Sequence, residues 1–283
     1  MPPSARSILI TGCSSGIGHA CALGLAERGW QVIASARKLD DVERLKQQGL
    51  SAVRLDLDDP ESIAGGLTET LALSGGRLDA LFNNGAYGQP GAVEDLTRAV
   101  LRAQFETNLF GWHDLTRRVI PIMRAQGSGR IVQNSSVLGL VAMPFRGAYV
   151  ASKFALEGLT DTMRQELVGS GIRVSLIEPG PILSRFRDNG YLIYQRTIDR
   201  SASVFADTYG HMEERLSKAG PAQPFTLPPQ AVLKKLVHAL ESRRPRPRYY
   251  VTVPTHLLGT LRRILSTRAL DGFMRKASRG GRG

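Results

Sequence analysis

The chain has 283 residues, 42% of them hydrophobic and 22% charged, with 30 Gly and 15 Pro. This is enough apolar chain for one large α/β domain or two small ones, and it excludes disordered and collagen-like classes. The net charge of +12 is uneven: from Leu240 to Gly283 eleven Lys/Arg face Glu241 and Asp271, leaving +9 there and +3 before it, so the basicity belongs to a C-terminal segment.

The N-terminal M-P-P-S-A-R leads straight into an apolar strand without a signal-peptide pattern. Short β-rich apolar runs at 6–11, 30–36, 51–56, 78–83, 130–135 and 172–177 alternate with helix-period stretches. The helices are expected up to about residue 28 and over 40–48, 60–73, 97–125 and 148–169. Continuous apolar strands separated by helices predict an α/β, doubly wound parallel sheet of the Rossmann type, covered on both faces. After Pro181 the alternation stops. Residues 181–227, with Tyr191, Tyr194, Phe205, Tyr209 and Met212 among many charges, read as a substrate lid. A helix at 228–241 and a strand at 248–253 close the sheet, so the domain is placed at 1–254 and a basic amphipathic extension at 255–283. No apolar run of about 18 residues occurs, and the expectation is a soluble cytoplasmic protein. Cys13 and Cys21 lack a partner pattern and the five histidines are scattered, so no metal site is expected.

Thr11-Gly12-Cys13-Ser14-Ser15-Gly16-Ile17-Gly18 joins the first strand to the first helix. Glycine there admits a pyrophosphate close to the backbone, and the helix start favours its charge. The spacing is G-x-x-x-G-x-G, which departs from the usual dinucleotide fingerprint. At the end of the second strand, where an acid would accept the adenosine ribose, stand Ala36-Arg37-Lys38. Arg37 and Lys38 fit a 2′-phosphate, so NADP(H) is favoured over NAD(H). Asp40 and Asp41 read as caps of the next helix. Asp56, ending the third strand, is placed to reach an adenine edge, with loop capping as its alternative.

Ser136 follows the strand at 130–135. Thirteen residues later Tyr149-Val150-Ala151-Ser152-Lys153 puts a phenol and an ammonium at i and i+4 on one helix face. An adjacent ammonium lowers a phenol from about 10 toward neutrality, which suits proton exchange with a carbonyl or alcohol oxygen. Ser136 is placed to hydrogen-bond the same oxygen.

With these motifs the chain resembles the short-chain dehydrogenases/reductases. T-G-C-S-S-G-I-G is similar to the family's cofactor loop and Y-V-A-S-K to its Y-x-x-x-K. Asn108 in T-N-L-F-G matches its helix asparagine, and Glu178-Pro179-Gly180-Pro181 with Ser184 its stretch over the nicotinamide. C-S-S-G-I-G, R-K-L-D-D-V-E-R, L-D-D-P-E-S and S-L-I-E-P-G-P-I further resemble the bacterial NADP-dependent aldehyde reductases related to retinol and 17β-hydroxysteroid dehydrogenases. The resemblance implies catalysis by Asn108, Ser136, Tyr149 and Lys153. It implies cofactor contacts from the glycine loop, Arg37, Lys38, Asp56, Leu57, Asn83, Asn84, Gly85, Tyr149, Lys153, Pro179, Gly180, Ile182 and Ser184. The family's N-N-A-G here reads Asn83-Asn84-Gly85-Ala86, which would strain Ala86 if its position requires positive φ.

The substrate pocket implied by family position comprises Tyr87, Ser136, Leu138, Met143, Phe145, Tyr149 and Pro181. This predominantly apolar set points to a hydrophobic aldehyde or ketone, with Arg185 and Arg187 as candidates for an anionic tail instead. Oxidation of an alcohol, hydroxysteroid or retinol is the alternative direction, and a non-catalytic nucleotide sensor the alternative of another class. Family members form dimers or tetramers, which implies a homodimer or homotetramer. Leu257, Leu258, Leu261, Ile264, Leu265, Leu270, Phe273 and Met274, interspersed with arginines, suit packing over the cleft or contact with an anionic membrane. No nucleic-acid-binding module is recognised.

Overall fold

The computed structural model describes residues 5–217, 220 and 224–279, so part of the expected lid, at 218–219 and 221–223, lies outside the described residues. Seven strands form one parallel sheet: β1 (Ser7–Ile10), β2 (Gln31–Ala36), β3 (Ser51–Arg54), β4 (Ala80–Asn83), β5 (Gly129–Asn134), β6 (Ile172–Glu178) and β7 (Arg248–Tyr250). Their order is β3-β2-β1-β4-β5-β6-β7. The order reverses between β1 and β4, which opens a crevice at their carboxyl ends. Each of the expected strands is present, because residues such as Ile8, Leu9, Leu81 and Ile131 are buried on both faces.

Helices α1 (Gly16–Ala26), α2 (Leu39–Gln47) and α9 (Gln230–Glu241) pack on one face, where Cys21, Leu25, Val42, Leu45 and Leu236 join the core. On the other lie α3 (Pro60–Leu73), α5 (Gly111–Ala125) and α6 (Gly147–Glu166), with Ile63, Trp112, Leu115 and Leu156. Asp59 starts α3 by accepting from the Glu61 amide, with Pro60 at the first helical position. Asp40 and Asp41 do not cap α2. Lys38 occupies the cap, and Asp41 instead pairs with Arg44 at 2.7 Å.

The single helix expected over 97–125 is interrupted. α4 (Arg98–Phe105) passes through one π-helical turn at Glu106–Phe110 before α5 begins. This turn carries Asn108, consistent with the tendency of such insertions to occur at functional sites. The segment expected as a lid contains α7 (Phe186–Thr197) and α8 (Ala206–Ser217), packed around a cluster of Tyr194, Ile198, Tyr209 and Met212. The C-terminal segment forms α10 (Val253–Ile264) and α11 (Thr267–Arg279). Leu258 and Met274 from these helices pack against Val141, with Leu138, Leu140 and Met143 around them. None of the described helices is long and apolar enough to cross a membrane.

Candidate active site

The Thr11 hydroxyl accepts the amides of Asn84 (2.8 Å) and Gly85 (2.9 Å), locking the loops after β1 and β4 together. Gly12 (φ +70°) and Gly18 permit this approach: a Cβ on Gly18 would stand 2.3 Å from the Gly12 carbonyl. Ser15 occupies the α1 N-cap without a side-chain capping bond, and the first turn contains no acid, so the helix start is free to receive an anion. Ala86 is not strained, because Phe145 and Phe225 are the positive-φ non-glycine residues among those described. Gly85 lies flat against Gly12, where a Cβ would come within 3.2 Å of the Gly12 nitrogen.

A cavity of about 370 Å³ opens from this loop, lined by Gly12, Ser14, Ser15, Gly16, Ile17, Asn84 and Gly85 on one side. Ser136, Leu138, Met143, Tyr149, Lys153, Pro179, Gly180, Pro181, Ile182 and Ser184 are among the residues lining the other side. Most of the expected site residues therefore meet in one space. The free helix start and close-packed glycines fit the pyrophosphate of a dinucleotide.

Several do not meet there. Asn83 is fully buried and donates to Thr116 Oγ1 at 2.9 Å, away from the cavity. Leu57 is a core residue, and Asp56 accepts the Asp58 amide at 3.2 Å, the loop-capping alternative. Arg37 and Lys38 are exposed just beyond β2, outside the cavity lining. Gly18 acts through packing. Tyr87 and Phe145 do not line the cavity, and the Phe145 ring packs into the lid, 5.3 Å from Phe205. Asn108 stands behind it, donating to the Tyr87 carbonyl at 2.9 Å and accepting the Tyr87 amide at 3.2 Å.

Lys153, buried on α6, donates to the Asn134 carbonyl at 2.9 Å and lies 4.2 Å from the Trp112 ring centroid. Its ammonium is 5.7 Å from the Tyr149 ring centroid. The expected depression of the phenol is not what the chain alone produces. Burial pushes Tyr149 up to about 12, partly offset by the Ser136 hydroxyl. Burial also pushes Lys153 down to about 7, against the opposing pull of Glu157. Spacing gives proximity, but the same apolar enclosure disfavours both charged forms.

The sequence reading missed four features. Phe186 lies over Tyr149 with ring centroids 5.3 Å apart, fitting the space that Gly88 leaves open. Arg44 reaches from α2 to the Ser14 carbonyl at 2.9 Å. Arg146 and Arg215 line the cavity. Only Arg146, three residues before Tyr149, carries a positional signal. Beneath the site Arg248 joins Glu157, Glu178 (2.9 Å) and Asp161.

The parallel sheet, its switch-point crevice and the Ser–Tyr–Lys cavity define an oxidoreductase that uses a nicotinamide nucleotide. The chain belongs to the short chain dehydrogenase family, whose profile matches residues 6–191. It is 44% identical over 269 residues to the uncharacterized oxidoreductase YbbO of Escherichia coli strain K12, covering 95% of this chain and 94% of that one. It is 33% identical over 282 residues to retinol dehydrogenase 8 of Homo sapiens, covering 95% and 89%. A crystal structure of a short-chain dehydrogenase from Streptomyces avermitilis superposes with a TM-score of 0.76 at 29% identity, covering 99% of each chain.

Proposed function

We propose that this enzyme reduces hydrophobic aldehydes or ketones with NADPH. The observation carrying the reading is that Ser136, Tyr149 and Lys153 share one cavity with the glycine loop and with the apolar side chains Leu138, Met143 and Phe186. Arg37 and Lys38, exposed at the end of β2 with no acid at the adjacent position, support a cofactor bearing a 2′-phosphate. Retinol dehydrogenase, named for an apolar alcohol, supports an apolar carbonyl partner.

A nicotinamide held beside the glycine loop would supply hydride to the carbonyl carbon. The chain handles the oxygen. Ser136 donates a hydrogen bond that stabilises its developing charge, and Tyr149, still protonated at neutral pH, transfers its proton to the alkoxide. Lys153 then faces a phenolate, and its position near neutrality lets it return a proton to Tyr149. Asn108 holds the Tyr87 backbone, next to Ala86, which lines this space. Exposed Leu101, Phe110 and Leu159 on the helices around Asn108 and Tyr149 support a homodimer or homotetramer. The packing of α10 and α11 on the 137–143 loop supports the cleft-covering role of the basic extension over membrane contact.

The test is NADPH and NADH oxidation with aliphatic, aromatic, retinoid and steroid carbonyls, with Tyr149→Phe in parallel. The expected outcome is turnover preferring NADPH, lost by at least a thousandfold in Tyr149→Phe while NADPH binding is retained. Binding without turnover on any carbonyl would leave the sensor reading standing.

A further inference from the structure

Arg146 is the residue before α6, and Arg215 comes from the last turn of α8. Both line the catalytic cavity and a second cavity of about 340 Å³ that continues between Gly88, Phe186 and Leu216. Both are half-buried. Among the described residues neither forms an ion pair. The direct contacts of Arg146 are neutral: it donates to the Phe145 carbonyl at 3.1 Å, and its Nη1 lies 3.8 Å from Met212 Sδ.

Two carboxylates of the lid are engaged elsewhere. Glu213 accepts from Tyr194 and Arg200, and Asp188, the acid lining the second cavity, lies 3.9 Å from Arg187. Burial and the charge of Arg215 together draw the Arg146 guanidinium down to about 10, so it stays protonated at neutral pH. The backbone is bent to hold this arrangement. Phe145 adopts φ +60°, and its carbonyl accepts both the Gly91 amide and Arg146. A non-glycine residue in that region marks a position fixed by its surroundings.

Two half-buried guanidiniums without a counter-ion lose part of their hydration, a cost that an anion meeting them would offset. Planar forks of donors beside an apolar cavity match a carboxylate or phosphate. We propose that Arg146 and Arg215 form an anion subsite, and that the carbonyl substrate has an apolar body ending in a carboxylate or phosphate. The substrate part rests on the carbonyl-reductase reading above.

Calorimetry without turnover tests the subsite, using decanoate, decyl phosphate and decanol. The wild type is expected to bind the better anion at least tenfold more tightly than decanol, and the two anions compared directly tell carboxylate from phosphate. Arg146→Gln and Arg215→Gln should each remove at least tenfold of that advantage, and Arg146→Lys should restore part of it. Thermal melts check folding, and if Arg146→Gln fails to fold, Arg215→Gln on the lid carries the test. In turnover with NADPH, 10-oxodecanoate should exceed its methyl ester at least tenfold in kcat/KM, or 10-oxodecyl phosphate should exceed its dimethyl ester likewise. The ratio should approach one in Arg215→Gln. Equal binding of decanol and both anions, or an anion advantage that survives both variants, overturns the subsite whether or not carbonyls turn over. Arginine-dependent anion binding without any carbonyl turnover overturns the reductase reading and leaves the subsite intact.

Discussion

Lys153 rests its ammonium 4.2 Å from the centroid of the Trp112 ring, and Trp112 in turn donates its indole N–H to the Gly85 carbonyl at 2.7 Å. One indole therefore ties Lys153 to the loop that carries Asn84 and Gly85. The aromatic face partly replaces the water that Lys153 loses on burial, but desolvation still dominates and holds the amine near 7.

This has a measurable pH signature. With its folded value below that of the unfolded chain, Lys153 costs stability fully at low pH, and the cost is relieved as pH rises from about 7 to about 10.5. Lys153→Met should therefore be stabilised relative to the wild type most strongly below pH 7. The advantage should shrink by at most about 1.4 kcal/mol per pH unit above it. Urea unfolding of both proteins from pH 6 to 10 gives the difference directly. An advantage independent of pH would mean that the amine is not the group concerned.

Glu178 behaves in the opposite sense. Burial and the neighbouring Glu157 raise its carboxyl to about 8, even with Arg248 bonded to it. A raised carboxyl stabilises the folded state below its unfolded value and loses that contribution as pH rises toward 8. Glu178→Gln should gain on the wild type as pH increases from 5 to 8, measured by thermal unfolding. Arg248→Met, which removes the cation from among Glu157, Asp161 and Glu178, should cost about 3–5 kcal/mol.

At the glycine loop, Gly18→Ala would drive a methyl group to 2.3 Å from the Gly12 carbonyl and 2.6 Å from the Asn84 side-chain nitrogen on the loop after β4. The two loops must then part, and NADPH affinity should fall by at least a hundredfold in fluorescence titration. Retained affinity would show that the loop relaxes without disturbing the cofactor.

Arg37→Ser separates the two nicotinamide cofactors. A charge-assisted bond to a 2′-phosphate is worth about 1.5–3 kcal/mol. The variant should lose about ten- to a hundredfold in kcat/KM for NADPH and change little for NADH. Equal losses with both would assign Arg37 to the loop rather than to the phosphate.

Much of this architecture was legible in the sequence, since β1 to β6 are continuous apolar runs and the helices between them carry clear periodicity. The glycine loop and the Ser136–Tyr149–Lys153 set were legible as well, because their chemistry depends on residue type and local spacing. The π-helical turn at Asn108 was not, since a one-residue slip in the hydrogen-bond ladder leaves the apolar pattern nearly unchanged. Nor was the rise of the Tyr149 phenol, because i, i+4 spacing reports proximity and says nothing of enclosure. Phe145 was expected at the substrate, but its left-handed backbone turns the ring into the lid and brings Arg146 to the cavity.

The C-terminal helices carry one further consequence. Arg262 on α10 donates to the Leu140 carbonyl, and Met274 on α11 is buried against Val141. The stretch following Ser136 thus leans on residues more than a hundred positions downstream. During synthesis the sheet can assemble strand by strand, whereas this wall of the cavity gains its backing only after Met274 has left the ribosome. A nascent chain arrested before α10 would hold the glycine loop, Tyr149 and Lys153 but lack that support.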